Sequence, residues 1–363
     1  MKLVRFVVAG DPDQYTGGYL YDARIAQALR QSGWSVDVVG LEGRFPDPDV
    51  RAGEALNAAL AGFSPDDLVV IDGLALGGLP DVLARYAHTL RMVALIHHPL
   101  ADEYGLGSAQ AGQFRASERC ALKWVSHVMT TSAFTARHLV ADYGVPPHAI
   151  DVVEPGVDHP LAQGLQSPLV AHDDTEASPR LLCVATLVPR KGHLVLVEAL
   201  AGLRDLAWQC NCVGDLQRDP ACAEAVRLAI GHHRLQDRVR LLGTLPPAAL
   251  ATTYDRAQVF VLPSYYEGYG MVVAEALAHG LPIVATSGGA LVQTVPEGAG
   301  LLVPPGDVAA LTDALRQVLV DYRLRHALQT EAARVGGALA SWDAQGARFA
   351  AVLARVAQQE VAQ

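Results

Sequence analysis

Glu267 and Glu275 bracket the stretch EGYGMVVAE. The first lies in a Gly-rich bend. The second sits among Val272, Val273, Ala274, Ala276 and Leu277, where burying a charge is costly. The run VFVLPS ahead of them reads as a strand. Gly268 and Gly270 then make a turn whose backbone can approach a ligand closely. A helix starts near Gly270, and its first N–H groups carry about half a positive charge, which suits a diphosphate. A carboxylate one turn inside that helix, Glu275, is placed to accept hydrogen bonds from a ribose diol. Glu267, at the bend, would meet the sugar end of a nucleotide sugar. The plainer alternative is that Glu267 caps the helix and Glu275 pairs with a nearby base.

The elements that must carry these residues are legible in the pattern. Short apolar β-branched runs alternate with longer helical ones: KLVRFVVAG, then GGYLYDARIAQALRQSG closing at Gly33, then WSVDVVG, DLVVIDG, RMVALIHH and SHVMTTS. A second series begins at RLLCVATLV and continues through WQCNCVG, RVRLLG, AQVFVLPS, LPIVATSGG and AGLLVPPGD. Near-continuous apolar strands between helices indicate parallel α/β sheets. The 363 residues are more than one core usually serves. The expected architecture is therefore α/β, with two Rossmann-like domains facing a cleft. The first spans 1–163, a polar linker 164–179, and the second 180–340. A C-terminal helix at 341–363 is expected to pack back on the first domain.

Composition narrows the function. Hydrophobic residues make up 51% and charged residues 18%, enough for substantial cores. The net charge of −10 offers no broad basic field for nucleic acid. No stretch approaches the ~20 apolar residues that span a bilayer, and the first ten residues are too short for a secretory signal. Five scattered cysteines read as reduced thiols, and nothing faces Cys210 and Cys212 at metal-ligand spacing.

The segment from Val259 to Gly280 resembles the E-x7-E motif of the retaining family 4 glycosyltransferases, which have the GT-B fold. The resemblance runs through about 180–315 and continues more loosely into the N-terminal half. It implies that Glu267 lies by the donor sugar and Glu275 by the ribose, with Gly268, Tyr269, Gly270, Met271 and Val272 around the donor. LVPRKGH is similar to the family's basic loop, and Lys191 matches the lysine that contacts the donor diphosphate, where charge grows as the sugar leaves. CVGD and LLGTLPPAAL are similar to the segments that cup the base, which assigns Gly214 and Leu245 to the donor. GLLVPPGDVAALTDAL resembles the close of the domain. One departure stands out. The family usually has Gly-Arg-Leu where this chain has Ala185, Thr186 and Leu187, so a phosphate-binding arginine is missing and Arg190 is the nearby candidate to replace it. GGALVQTV also lacks the acidic residue often found after its glycine pair.

In the first half, Gly17 and Gly18 open a helix, and the resemblance assigns them to the donor phosphates. The loop lacks the G-x-G-x-x-G of a dinucleotide site. His97 and His98 end the strand RMVALI, where α/β ligands bind. His97 matches the family's histidine that faces donor sugar and acceptor. His98 and Glu103 are candidate acceptor ligands. Ser132 reads as a plain helix cap, and His138, His232 and His233 as structural or surface groups. Asp-Pro-Asp occurs at 11–13 and 47–49. It resembles the Asp-x-Asp of metal-dependent transferases, but both copies lie in Pro-rigid loops of the first fifty residues and read as coincidence.

The resulting expectation is a retaining, metal-independent hexosyltransferase. His97, Glu267 and Lys191 would carry catalysis, with no cofactor beyond a UDP-, GDP- or ADP-sugar and a small-molecule or lipid-linked acceptor. The expected location is the cytoplasm, with peripheral attachment at the inner membrane face left open, as is the oligomeric state. Two alternatives stay open: a catalytically impaired nucleotide-sugar-binding protein, motivated by Thr186, and an NAD-dependent oxidoreductase, motivated by the Rossmann-like strands alone.

Overall fold

The structure is a computed structural model that describes residues 2–14, 16–65, 67–159 and 178–358. All of the expected linker except Ser178 and Pro179 lies outside the described residues. The chain divides into two compact units. One is Met1–Gly156 with Ala340–Gln363, and the other is Val157–Leu339.

The first unit holds a six-stranded sheet of β1 (Lys2–Ala9), β2 (Trp34–Leu41), β3 (Leu68–Asp72), β4 (Arg91–Ile96), β5 (His127–Thr130) and β6 (Ile150–Val152), in the order β2-β1-β3-β4-β5-β6. The second unit holds β7 (Arg180–Val184), β8 (Gln209–Val213), β9 (Val239–Leu241), β10 (Val259–Leu262), β11 (Ile283–Thr286) and β12 (Gly300–Val303), in the order β12-β11-β10-β7-β8-β9. Every pairing between these strands is parallel. Parallel strands need covering helices on both faces, which is why β3 and β10 are buried along their whole length.

The first unit's helices are α1 (Gly17–Gln31), α2 (Val50–Ala61), α3 (Gly73–Leu76), α4 (Pro80–Ala84), α5 (Ser108–Ala121) and α6 (Ala133–Tyr143). The second unit's are α7 (His193–Ala201), α8 (Pro220–His232), α9 (Pro247–Asp255), α10 (Met271–Ala278), α11 (Leu291–Thr294), α12 (Val308–Val320) and α13 (Tyr322–Gly336). The last helix, α14 (Trp342–Val356), returns to the first unit: Phe349 is fully buried and stacks on Phe6 of β1 with ring centroids 5.9 Å apart. Asp49, of the second Asp-Pro-Asp, caps α2 by accepting from Ala52 N–H, and Ser132 caps α6 by accepting from Thr135 N–H.

Strand order fixes where a ligand can sit. In the second sheet the chain leaves β7 toward β8 and β9, then returns to lay β10 on the other side of β7. Crossovers therefore diverge between β7 and β10, and the crevice outside their carboxyl ends is the expected ligand position. The loops there are 185–192 and 263–270. In the first sheet the corresponding divergence lies between β1 and β3. The apolar run 180–188 had suggested a longer strand. β7 stops at Val184, and the rest turns into the loop, where Leu187 N–H bonds to Asp215 O at 3.0 Å.

Candidate active site

The loops following β7 and β10 are knitted together. Tyr265 N–H donates to Arg190 O at 2.8 Å, and the Arg190 guanidinium donates to Tyr266 O at 2.7 Å. Gly192 ends the first loop with φ +69°, and a Cβ there would fall 2.1 Å from Pro263 O, so only glycine permits this approach. The side chains converge as well. Lys191 Nζ donates to Glu267 Oε1 at 2.5 Å, Ser264 Oγ donates to the same oxygen at 2.7 Å, and Arg190 Nη1 lies 3.6 Å from Glu267 Oε2.

Glu267 is the buried carboxylate, at 6% exposure, whereas Glu275 is only half-buried. This corrects the reading that made Glu275 the charge inside an apolar environment. The helical period turns Val273, Ala274, Ala276 and Leu277 to the core and leaves Met271, Val272 and Glu275 on a partly open face. Burial pushes the Glu267 carboxyl up. The Lys191 and Arg190 charges and the Lys191 and Ser264 hydrogen bonds outweigh it, so its pKa lies below the usual value.

Glu267 does not cap α10. The N-cap is Gly270 in the left-handed region, and a glycine has no side chain to bond to the first turn. The helix thus starts with uncapped N–H groups of Met271 and Val272 beside the Lys191–Arg190 loop, an arrangement that attracts an anion. One turn on, Glu275 Oε2 accepts from Tyr254 OH at 2.9 Å. That hydroxyl is one observed partner of the carboxylate. Thr186 follows β7 half-buried, and its carbonyl accepts from Val188 N–H at 2.9 Å. Gly214 N–H donates to Gly243 O at 3.0 Å, which joins the two stretches expected to cup a base, and Leu245 packs half-buried against the core. Gly288 and Gly289 press on the Glu267 loop: Ala290 N–H bonds to Glu267 O at 2.8 Å, and Glu267 forms an isolated parallel bridge with Gly289.

In the first unit, Gly17 opens α1 and Gly18 packs against the His97 ring, where a Cβ would lie 3.1 Å from Cδ2. His97 Nε2 lies 3.1 Å from Asp22 Oδ1 and 3.5 Å from Asp72 Oδ2. Both carboxylates are buried. Sequence reasoning passed over both, although Asp22 follows Gly18 by one helical turn and Asp72 ends a strand, the place α/β ligands occupy. These three side chains have ligand atoms within 4.8 Å of one another, with His97 Nε2 facing both carboxylates. His98 Nε2 and Glu103 Oε2 bond to each other at 3.2 Å, so the two expected acceptor ligands form one pair. His138 bridges Asp102 and Asp142, in keeping with a structural role. His233 lies 3.4 Å from Glu198.

Known proteins resemble this chain in sequence and in fold. Residues 21–160 match the family described as Glycosyltransferase Family 4, and residues 178–321 match Glycosyl transferases group 1. The MMP alpha-(1->4)-mannosyltransferase of Mycolicibacterium hassiacum is 30% identical over 332 residues, 86% of this chain and 77% of the relative. A D-inositol 3-phosphate glycosyltransferase of Nocardia farcinica is 33% identical over 252 residues, 66% of this chain and 54% of its own length. Among solved structures, sucrose-phosphate synthase from Thermosynechococcus elongatus superposes with a TM-score of 0.79 at 23% identity, over 98% of this chain and 99% of that one. Anabaena HepE, in complex with UDP and glucose, superposes with a TM-score of 0.72 at 18% identity, over 97% and 99%.

The chain is a glycosyltransferase of the GT-B fold. It belongs to glycosyltransferase family 4. The oxidoreductase alternative falls with that assignment. Among the described residues, no helix is long and apolar enough to cross a membrane.

The Lys191–Glu267 pair makes a prediction about stability. Lys191→Met leaves the Glu267 carboxylate with Arg190 and Ser264 only, and is expected to lower the unfolding free energy by about 1–3 kcal/mol in urea denaturation. Adding Glu267→Gln should recover part of the loss. Because the folded carboxyl titrates below its ordinary value, the pair's contribution is present at neutral pH and lost as the pH falls through that lowered value. An unchanged midpoint for Lys191→Met would show that the pair is not holding the buried charge.

Proposed function

We propose that the chain transfers a hexosyl group from a nucleotide-activated sugar to an acceptor hydroxyl with retention of anomeric configuration and without a metal ion. The observation that carries this reading is the meeting, at the β7–β10 switch point, of Lys191, Arg190 and the uncapped start of α10, with Glu267 on one side and Glu275 one turn beyond.

In this reading the donor diphosphate binds the Met271 and Val272 N–H groups and Lys191. The ammonium and helix N-terminus neutralise the charge that develops as the sugar departs. Those groups also do the work that a metal does in Asp-x-Asp enzymes, and of the two Asp-Pro-Asp segments one caps a helix through Asp49. Glu267, fixed from behind by Lys191 and Ser264, meets the sugar. Glu275, oriented by Tyr254, accepts from the ribose diol. Gly214 and Leu245 lie in the segments assigned to the base, which is uracil, guanine or adenine. HepE is seen with UDP and with UDP-glucose, which supports a nucleoside diphosphate sugar as donor here.

The acceptor is assigned to the first unit near His97, His98 and Glu103, with Gly17 and Gly18 beside the donor phosphates. It is a small molecule or a lipid-linked hydroxyl, and the reaction takes place in the cytoplasm or at its membrane face. The acceptor oxygen attacks the sugar from the side the diphosphate leaves, and its proton passes to the departing phosphate oxygen. No enzymic nucleophile is required. Arg190 takes over part of the role of the arginine replaced by Thr186, since it already reaches the same carboxylate as Lys191.

A thermal-shift screen of UDP-, GDP- and ADP-sugars identifies the donor, because a ligand of the native state raises stability by mass action. Glu275→Gln should then weaken binding of the sugar-free nucleoside diphosphate by about 1–3 kcal/mol, the worth of a charged hydrogen bond. Unchanged affinity in the folded variant removes the ribose role. Turnover is expected to persist in excess EDTA; abolition by the chelator and recovery with Mn²⁺ or Mg²⁺ would restore a metal to the mechanism.

A further inference from the structure

The His97 ring is held more tightly than a sugar-facing histidine needs to be. Asp22 comes to Nε2 from α1 at 3.1 Å and Asp72 from the end of β3 at 3.5 Å. Both carboxylates are more than nine-tenths buried, at 7% and 6% exposure, while the His97 side chain remains 19% exposed. Gly18 closes one edge of the ring, and Tyr21 meets it edge-on with centroids 5.4 Å apart. Tyr21 is itself anchored by its hydroxyl to Val153 O at 2.8 Å. The ring therefore has one orientation, with Nε2 turned to the carboxylates.

We propose that Asp22 and Asp72 are positioning residues: they clamp Nε2–H of His97 inward so that Nδ1–H is presented as a hydrogen-bond donor to a sugar oxygen. This rests on the placement of His97 at the sugar, and goes beyond it by naming the protonation state and the groups that set it. Two carboxylates facing one nitrogen favour the doubly protonated ring. His97 then acts as a donor and not as the base that removes the acceptor proton, which agrees with that proton leaving on the phosphate.

The surrounding charges point the same way. Burial alone would lower the His97 pKa; the Asp22 charge, its hydrogen bond and the Asp72 charge outweigh it, and the net direction is up. Asp72 is pushed up to about 7 by burial and by the Asp22 charge. Glu118 of α5 is raised to about 8, chiefly by burial, with the Asp102 and Asp72 charges adding to it. Leu100 N–H donates to Glu118 Oε2 at 3.0 Å, tying the loop after His97 to α5. The groups that act on His97 from its neighbours are thus Asp22 and Tyr21 of α1 and Asp72 of β3.

The test begins with the unaltered protein. An NMR titration of the His97 ring should give a midpoint above the ordinary histidine value of ~6.5. A midpoint at or below that value overturns the proposal. Asp22→Asn should move the midpoint, and with it the alkaline limb of kcat/KM for transfer, down by about one unit. The direction follows because loss of the carboxylate charge lets the ring deprotonate at lower pH. Asp72→Asn should act in the same direction but less, from its longer distance. In a His97→Ala background, Asp22→Asn should cause no further loss of transfer, because it acts through the ring. An unmoved alkaline limb, or losses that add, refutes the positioning role. If His97→Ala alone leaves transfer intact, the placement of His97 at the sugar fails instead.

Discussion

A carboxylate buried between two cations organises the second unit. Glu267 has almost no contact with water, and an isolated charge there would be costly. Its ionised form persists because Lys191 and Ser264 bond to one oxygen and the Arg190 guanidinium stands near the other. Lys191 and Arg190 belong to the loop after β7, and Glu267 to the loop after β10. These strands are far apart in sequence and neighbours in the sheet. The ion pair therefore exists only if the strand order is right, and the close approach of Gly192 to Pro263 O locks the same two loops through the backbone. A positive loop, an uncapped helix start and a fixed carboxylate are assembled by one crossover pattern.

The first unit meets a related problem differently. Asp22 and Asp72 are also buried, but among the described residues no lysine or arginine is paired with them; the ionisable partner of both is the imidazole of His97. Neutralisation by a titratable ring is pH-sensitive, whereas neutralisation by lysine is not over the physiological range. Each unit thus holds a buried acidic group beside its candidate site residues, with a permanent cation in one and a protonatable ring in the other.

Sequence pattern carried much of this. The alternation of apolar strands and helices, Gly33 and Ser132 at helix ends, and the strand–turn–helix around Gly268 and Gly270 were legible because each has a local cause. The pairing of Glu267 with Lys191 was not, since 76 residues separate them and nothing local joins them. The burial of the two glutamates was reversed: five apolar neighbours around Glu275 suggest enclosure until the helical period is applied, which puts Glu275 on the open side and leaves Glu267, in a polar-looking bend, inside. Asp22 and Asp72 were passed over because a carboxylate in an amphipathic helix, or at a strand end, looks like ordinary solvated surface. Only the fold shows that His97 lies between them.

The central claim is that a nucleoside diphosphate sugar binds at the carboxyl ends of β7 and β10. Hydrogen–deuterium exchange, with and without the nucleotide sugar that stabilises the protein, tests it most directly. The account predicts slowed exchange concentrated in 186–192 and 267–275, where the backbone and side chains are assigned to the diphosphate, sugar and ribose. Saturating ligand that leaves both segments unchanged while protecting another part of the second unit would contradict it.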